Sequence, residues 1–155
     1  MPTPPTLGDL VYRGLYAGIS EIAHLTQTTR QNVNGGMLAL DWFPSPQGYI
    51  YPELQRWPYW FLRDVKDALR RHDRLRADLP VSPRIEDWEY GYTGELIAAE
   101  GFARLGGFVS GNVHAVARDR APVRPADKLR MGTVWRADEV REALAVAGFP
   151  KGVAA

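Results

Sequence analysis

The sequence predicts an α+β chain, mainly α-helical, built as two copies of one small unit. Three observations predict this fold class. Apolar residues recur at helical spacing in several segments, which is typical of amphipathic helices. Aromatic runs broken by turn residues are typical of β-hairpins. Finally, the second half of the chain aligns on the first at offsets of 75 and 80 residues, which indicates an internal repeat.

The first copy begins with a predicted helix, turn and second helix over residues 19–33. Ile19, Ile22 and Leu25 lie three residues apart and form one apolar face, which leaves Glu21 and His24 in solvent. This pairing of short helices occurs in many bundles that never bind DNA. Its functional meaning therefore depends on the rest of the chain.

The polar residues of this segment predict where the two helices start. Ser20 is the expected N-cap of the first helix, and the hydroxyl of Thr28 or Thr29 is the expected N-cap of the second. Val33 returns to the core. The side chains left exposed can pair with base edges or phosphates, and they are Arg30, Gln31, Asn32 and Asn34.

The remainder of the first copy predicts a hairpin and a closing helix. Asn34-Gly35-Gly36 ends the second helix early. Tyr49–Pro52 and Trp57–Phe61 are the expected hairpin arms, and their prolines should confine both arms to a sheet edge because proline cannot donate a ladder hydrogen bond. Residues 62–71 have apolar and charged sides and predict an amphipathic helix.

Charge is unevenly distributed along the chain. Residues 1–75 carry eight basic and seven acidic side chains, residues 76–100 two and six, and residues 101–155 nine and five. We expect residues 77–95 to be an acidic, aromatic connector that lies partly on one module. The predicted modules are residues 1–76, which include an N-terminal arm, and residues 96–155.

The second half repeats the order of parts found in the first. Trp135–Leu144 aligns on Trp60–Leu69 without a gap at an offset of 75, and Phe102–Leu105 aligns on Ile22–Leu25 at an offset of 80. Trp60 and Trp135 each begin a closing helix beside apolar neighbours, so we expect both to lie in the core. The second copy is predicted as a helix from Glu95 or Ala98 to Leu105, a helix over Ser110–Arg118, a hairpin over Lys128–Trp135 and a helix over Asp138–Ala147.

With these residues in view, each half resembles the winged helix-turn-helix of the MerR, excisionase and AlpA-like group of DNA-binding proteins. Ile19–Val33, the Phe43-Pro44-Ser45-Pro46 step and the tryptophan-led closing helices carry the resemblance. It implies two winged helix-turn-helix modules in tandem, each with a small β-hairpin wing. It also implies a phage or actinobacterial setting.

In that family the second helix enters the major groove and the wing reaches the neighbouring groove or the backbone. The resemblance therefore implies twelve DNA-binding residues. The first recognition helix supplies Thr29, Arg30, Gln31 and Asn32, with Gln55 and Arg56 on its wing; the second supplies Ser110, Asn112, His114 and Arg118, with Lys128 and Arg130 on its wing. Because the two recognition helices differ, we expect two unlike half-sites.

The sequence thus predicts a sequence-specific protein for double-stranded DNA, acting as a transcription regulator or a recombination directionality factor. A DNA-packaging or recombination accessory protein is the first alternative, and a protein-interaction module that uses the aromatic cluster Trp57–Phe61 is the second. The sequence is also compatible with an integrase, a polymerase or a second copy of the chain as a partner.

Several classes are not expected. The chain has no cysteine, so disulfides, thiolate zinc sites and cysteine nucleophiles are excluded. The three histidines lack metal-ligand spacing and no phosphate-binding glycine loop is present, so we expect neither an enzyme nor a metal or cofactor. The sequence shows neither a signal peptide nor a membrane span, which predicts a cytoplasmic, nucleoid-associated protein without a membrane partner.

Overall fold

The structure is a computed structural model that describes residues 12–51, 57–81 and 85–149. The strands are β1 Tyr16–Ala17, β2 Gly48–Tyr51, β3 Trp57–Phe61, β4 Leu96–Ile97, β5 Asp127–Leu129 and β6 Gly132–Arg136. The α-helices are α1 Ile19–Thr26, α2 Arg30–Gly35, α3 Leu62–Arg71, α4 Ala99–Gly106, α5 Val113–Ala115 and α6 Ala137–Val146. Short 3₁₀ turns span Met37–Ala39, Asp87–Gly91 and Ser110–Asn112, and a π-helical turn spans Val116–Arg120.

The closing helices follow the sequence pattern closely. α3 has the predicted bounds, and α6 begins one residue earlier than predicted, at Ala137. Both helices follow directly from a hairpin strand, and both bury one apolar face while acidic residues occupy the first turn. The negative side chains in the first turn complement the helix dipole, so local electrostatics and burial favour the same start.

The first helix differs from prediction at its N-terminus. Its N-cap is Gly18 and not Ser20, and the Gly18 N–H donates to Glu21 Oε1 at 2.9 Å. Glu21 is therefore buried, at 2% exposure, where the apolar spacing predicted a solvated side chain. The expectation for the second helix is confirmed, because Thr29 Oγ1 accepts a hydrogen bond from the Asn32 amide at 3.1 Å.

The internal repeat is present in the structure with the same strand register in both halves. β1 pairs antiparallel with β3, and β4 pairs antiparallel with β6. In each half the short first strand, β1 or β4, precedes a helix pair, a hairpin and a closing helix in the chain. The matched partners are Tyr16 with Phe61 and Ala17 with Trp60 in the first half, and Leu96 with Arg136 and Ile97 with Trp135 in the second.

The expectation of two winged helix-turn-helix modules in tandem is wrong. All six strands form one mixed sheet in the order β1-β3-β2-β4-β6-β5, in which β2 and β4 pair in parallel and join the two halves. The described strands of both hairpins are part of this one sheet and do not form two separate modules. The sequence did not indicate this because β1 and β4 have only two residues each and their pairing depends on distant segments.

The sheet is nearly closed into a barrel by a side chain. The Asp127 carboxylate of β5 accepts the backbone N–H groups of Arg13 and Leu15, just before β1, and of Tyr16, the first residue of β1, at 2.9, 3.0 and 2.9 Å. These bonds stand in for a strand ladder between the two outer strands of the sheet.

The proline-based prediction of edge strands fails for both arms, because β3 lies between β1 and β2, and β2 lies between β3 and β4. Pro58 opposes Tyr49 of β2, whereas β1 contacts only Phe61 and Trp60. β1 ends before it reaches the proline, so no ladder hydrogen bond from Pro58 is required on that side.

Two apolar clusters fill the protein. The larger packs α1, α3 and the first hairpin together with Leu129 and Val134 of the second hairpin, and the smaller surrounds Phe102 and Trp135. Trp60 and Trp135 are each 1% exposed, which confirms that both lie in the core.

The connector contains a 3₁₀ turn that forms ion pairs with both halves of the chain. Within this turn, buried Glu89 receives two hydrogen bonds from the Arg13 guanidinium, at 2.8 and 2.9 Å, and its Oε1 lies 3.7 Å from Arg136 Nη2. Glu89 thus contacts cations from both halves of the chain. Trp88, its neighbour, is 63% exposed.

Candidate nucleic-acid interface

The candidate interface is built on the turn between α1 and α2. Gln27 ends α1 in the left-handed conformation, with φ of 54°, and its side-chain amide donates to the His24 carbonyl at 2.7 Å. The backbone therefore reverses within three residues, 27–29. α2 then presents Arg30, Gln31 and Asn32 to solvent, while Val33 is buried beneath them.

One N–H of the Asn32 side chain is used in a hydrogen bond within the protein. Its Nδ2 donates to Thr28 Oγ1 at 2.9 Å, which holds the amide against the turn. An amide nitrogen carries two hydrogens, so one N–H and the carbonyl oxygen are left by this bond. That pair is the one that contacts adenine in a major groove.

The second hairpin places Arg130 beside the turn between α1 and α2. Glu21 Oε2 accepts the backbone N–H of Arg130 at 3.1 Å and the Tyr12 hydroxyl at 3.3 Å. The carboxylate thereby fixes the turn between β5 and β6 against α1. Burial raises the pKa of Glu21, and burial together with the nearby Glu21 carboxylate raises the pKa of Tyr12.

Asp127 holds the base of the same hairpin. Besides the three amides beside β1, it accepts its neighbour's amide, that of Lys128, at 2.7 Å. Burial raises the pKa of Asp127, and the four backbone donors oppose that rise because they stabilise the carboxylate form. Two buried carboxylates, Glu21 and Asp127, therefore position the β5–β6 turn on the first half.

The result is a groove of about 600 Å³ that contains an arginine from each half of the chain, and we name it the Arg30–Arg130 groove. Apart from Ala23, the side chains that line it are polar or cationic. The lining residues are Ser20, Ala23, His24, Gln27, Thr28, Thr29, Arg30 and Arg130. The set contains two guanidinium groups and no carboxylate, so the groove is suited to a polyanion.

Arg30 is held by an aromatic contact. Its guanidinium carbon lies 5.7 Å from the centre of the Trp57 ring, at cation–π distance. Arg30 also lines a neighbouring cavity of about 430 Å³, whose walls include Ile50, Trp57 and Met131. This contact limits the orientations of the guanidinium before any ligand arrives.

The second repeat has an equivalent groove with different chemistry. Seven residues of the Arg30–Arg130 groove correspond to seven residues of this second groove at a constant offset of 80. Ser110 replaces Arg30, and Glu100 replaces Ser20. The second groove is lined by Glu100, Ala103, Arg104, Gly107, Phe108, Val109 and Ser110, so it has gained a carboxylate and two apolar side chains.

The structure separates the predicted site residues into distinct places. Thr29, Arg30 and Arg130 share the Arg30–Arg130 groove, whereas His114 and Arg118 line a different one. Arg118 is paired with Asp119 at 3.0 Å. Gln31, Asn32, Ser110, Asn112 and Lys128 are all exposed, and Gln55 and Arg56 lie outside the described residues.

The second recognition helix is irregular. The segment predicted as one helix over Ser110–Arg118 consists of a 3₁₀ turn, one α-helical turn and a π-helical turn. The glycine at position 111 and the absence of a side-chain cap on the 3₁₀ turn are consistent with this irregularity.

Six contributors to the groove were not predicted as site residues. Trp57 contacts Arg30, and the other five line the groove: Ser20, Ala23, His24, Gln27 and Thr28. The position of Gln27 at the end of the first helix is the one available signal, because its counterpart at an offset of 80 is Gly107, a residue that favours the left-handed conformation.

Within the described residues, no cluster of three or more histidine, aspartate or glutamate side chains could hold a metal ion. The same part of the chain contains no helix with the length and apolar character required to cross a membrane. No protein-family model, curated protein or solved structure matches this sequence.

Proposed function

We propose that the protein binds double-stranded DNA through the Arg30–Arg130 groove and the adjoining exposed face of α2. The observation that carries this proposal is the meeting of Arg30 and Arg130, which are 100 residues apart in sequence, in one groove without a carboxylate. Two cations held by a folded scaffold neutralise phosphates at a fixed spacing, which positions a protein on a duplex.

The fixed geometry matters because the net charge is only +1. A protein with so little excess charge gains little affinity from general attraction to phosphates. Affinity must therefore come from a local site. The Arg30 guanidinium contacts the Trp57 ring, and the bond from the Arg130 backbone to Glu21 fixes the segment that carries Arg130.

Base contacts in this proposal come from α2. Asn32 has an N–H and a carbonyl left for an adenine edge, and Gln31 lies beside it in solvent. We infer that the phosphate contacts of Arg30 and Arg130 set the register of α2 on the duplex. The equivalent groove of the second repeat lacks both arginines of the first, so the proposal places the main contact in the first repeat.

Fluorescence polarisation with a short duplex of random sequence at low salt tests this proposal. Arg30→Ala and Arg130→Ala should each weaken binding to all sequences alike. Arg141→Ala is the matched control, because Arg141 is exposed on α6 and its loss changes the net charge equally. Equal affinity for all three variants would refute the groove as the binding site.

Selection from a random duplex library with the full chain tests the base contacts. Asn32→Ala should relax the preference at one position by about 1–3 kcal/mol, the value of one good bidentate pair. An unchanged selected sequence would remove Asn32 from the contact set and leave the phosphate contacts to be judged separately.

A further inference from the structure

The two repeats place a tryptophan at the same position of the sheet, but its surroundings differ. Trp60 opposes Ala17 across β3 and β1, and Trp135 opposes Ile97 across β6 and β4. The first indole is fully satisfied, because Trp60 Nε1 donates to the Pro44 carbonyl at 2.7 Å. The second indole, Trp135 Nε1, is buried and has no hydrogen-bond partner among the described residues.

The ring that covers the first tryptophan is also missing from the second repeat. Phe43 lies edge-on to Trp60, with ring centres 5.6 Å apart. Phe43 precedes Pro44 on the step into the first hairpin, and Ala121 precedes Pro122 at the matching step into the second. Ala121 supplies no ring at that step, and the rings that contact Trp135 are those of Phe102, edge-on with ring centres 5.1 Å apart, and His114, with ring centres 5.8 Å apart.

The surface beside Trp135 is an open groove of about 510 Å³, which we name the Trp135 groove. Its apolar side chains come from the proline step and the π-helical turn, and its other side chains are basic. The lining residues are His114, Ala117, Arg118, Pro122, Val123, Arg124, Pro125 and Trp135. Arg118 is already paired with Asp119, so Arg124 is the arginine of this groove whose charge an acidic ligand would meet.

We propose that the Trp135 groove binds an acidic peptide segment of a partner protein in which an aromatic residue is followed directly by proline. The chain's own residues Asp41-Trp42-Phe43-Pro44 provide the pattern, since they supply the ring and the carbonyl that Trp60 receives. In the second repeat a partner supplies them instead. Because Trp135 is only 1% exposed, the Pro122–Pro125 step must first shift; the partner's ring then packs on Trp135, its proline carbonyl accepts the indole N–H, and its acid faces Arg124.

Because the Trp135 indole N–H is buried, a ligand can reach it only if the protein rearranges locally. Because the nitrogen is covered, the Pro122–Pro125 step has to shift for a carbonyl to reach it. An unsatisfied buried donor costs free energy in the unbound protein, and a new acceptor removes that cost on binding. A hydrogen bond to the Trp135 indole is therefore the specific signature of this proposal.

The probe is a blocked peptide with the sequence Asp-Trp-Phe-Pro-Ser-Pro, copied from residues 41–46. It is added to the ¹⁵N-labelled full chain, and the indole N–H resonances are followed by NMR with Trp135→Phe used for assignment. The Trp135 resonance should move in a saturable manner while that of Trp60 stays in place. A peptide with alanine at the phenylalanine position should bind about 10- to 100-fold more weakly, because it lacks the buried ring.

Protein variants separate charge from packing. Arg124→Ala should weaken binding about 1.5- to 5-fold, as expected for an exposed ion pair, and Arg141→Ala should leave it unchanged. Val123→Asp should abolish binding, with circular dichroism used to confirm that the variant is folded. The proposal is overturned if the Trp135 resonance does not move, if the alanine peptide binds equally well, or if the Trp60 resonance moves instead.

Discussion

Replacing Asp127 by asparagine is expected to destabilise the protein far more than its small change in size suggests. The carboxylate accepts four backbone N–H groups, two at each oxygen: Arg13 and Lys128 at Oδ1, and Leu15 and Tyr16 at Oδ2. An asparagine side chain has one oxygen and one NH₂ group, so it can accept at only one of these two places.

The magnitude follows from the bonds lost. Two backbone donors lose their acceptor and then face an NH₂ group, and each buried donor left unsatisfied costs about 1–3 kcal/mol. The free energy of unfolding should therefore fall by about 2–6 kcal/mol. That loss is a large share of the roughly 5–15 kcal/mol that holds a typical domain folded.

Urea denaturation followed by circular dichroism measures this effect. Asp41→Asn is the matched control, because Asp41 is exposed and the same substitution there should change stability by less than about 0.5 kcal/mol. If Asp127→Asn and Asp41→Asn unfold at the same urea concentration, the Asp127 carboxylate does not close the sheet and the reasoning is refuted.

Two further predictions concern the connector and the turn. The Arg13 guanidinium holds the pKa of Glu89 below its ordinary value, so the Arg13–Glu89 pair stabilises the fold above about pH 4.3 and loses this effect as pH falls through the lowered pKa. The stability difference between wild type and Glu89→Gln should accordingly shrink in acid, as measured by urea titrations over a pH series; a constant difference would contradict it. Gln27→Gly should raise the free energy of unfolding by up to about 1 kcal/mol, because glycine adopts the left-handed conformation without the steric cost that glutamine carries. Thermal unfolding checks this, and a lower melting temperature would show that the side-chain bond to His24 matters more.

The parts of the fold that the sequence predicted are those determined locally. α3 has its predicted bounds because the apolar side of the segment is regular and Leu62 follows directly on a strand. Thr29 could be identified as an N-cap because a hydroxyl at that position has one obvious partner in the first turn. The repeat was visible because the two closing segments keep a tryptophan, a valine, an alanine and a leucine at an offset of 75, with charges of the same sign beside the valine.

The sheet could not be predicted because its decisive contacts are distant. The parallel pairing of Ile50 with Leu96 and Tyr51 with Ile97 joins short strands from different halves. No local pattern in a two-residue strand specifies its partner. The burial of Asp127 was equally hidden, since acidic residues are normally exposed unless specific donors surround them.

In the candidate site, too, the locally determined residues were predictable and the contacts between distant segments were not. Arg30 was predicted because it follows the Thr29 cap on an exposed helix face. Arg130 was predicted on a hairpin, but its meeting with Arg30 depends on a backbone bond to Glu21, a residue that the apolar spacing placed in solvent. The sequence did not reveal that the Glu21 carboxylate is buried, and so it did not reveal that Arg130 lies beside Arg30.

The salt dependence of DNA binding tests the central claim most directly. The logarithm of the association constant falls with the logarithm of salt concentration, with a slope of about −0.9 for each phosphate neutralised on B-DNA. Loss of Arg30 and Arg130 together should make the slope shallower by about 1.8 relative to wild type, whereas Arg141→Ala should leave it unchanged. A wild-type protein that does not bind duplex DNA at low salt, or a double variant with the wild-type slope, would contradict the account.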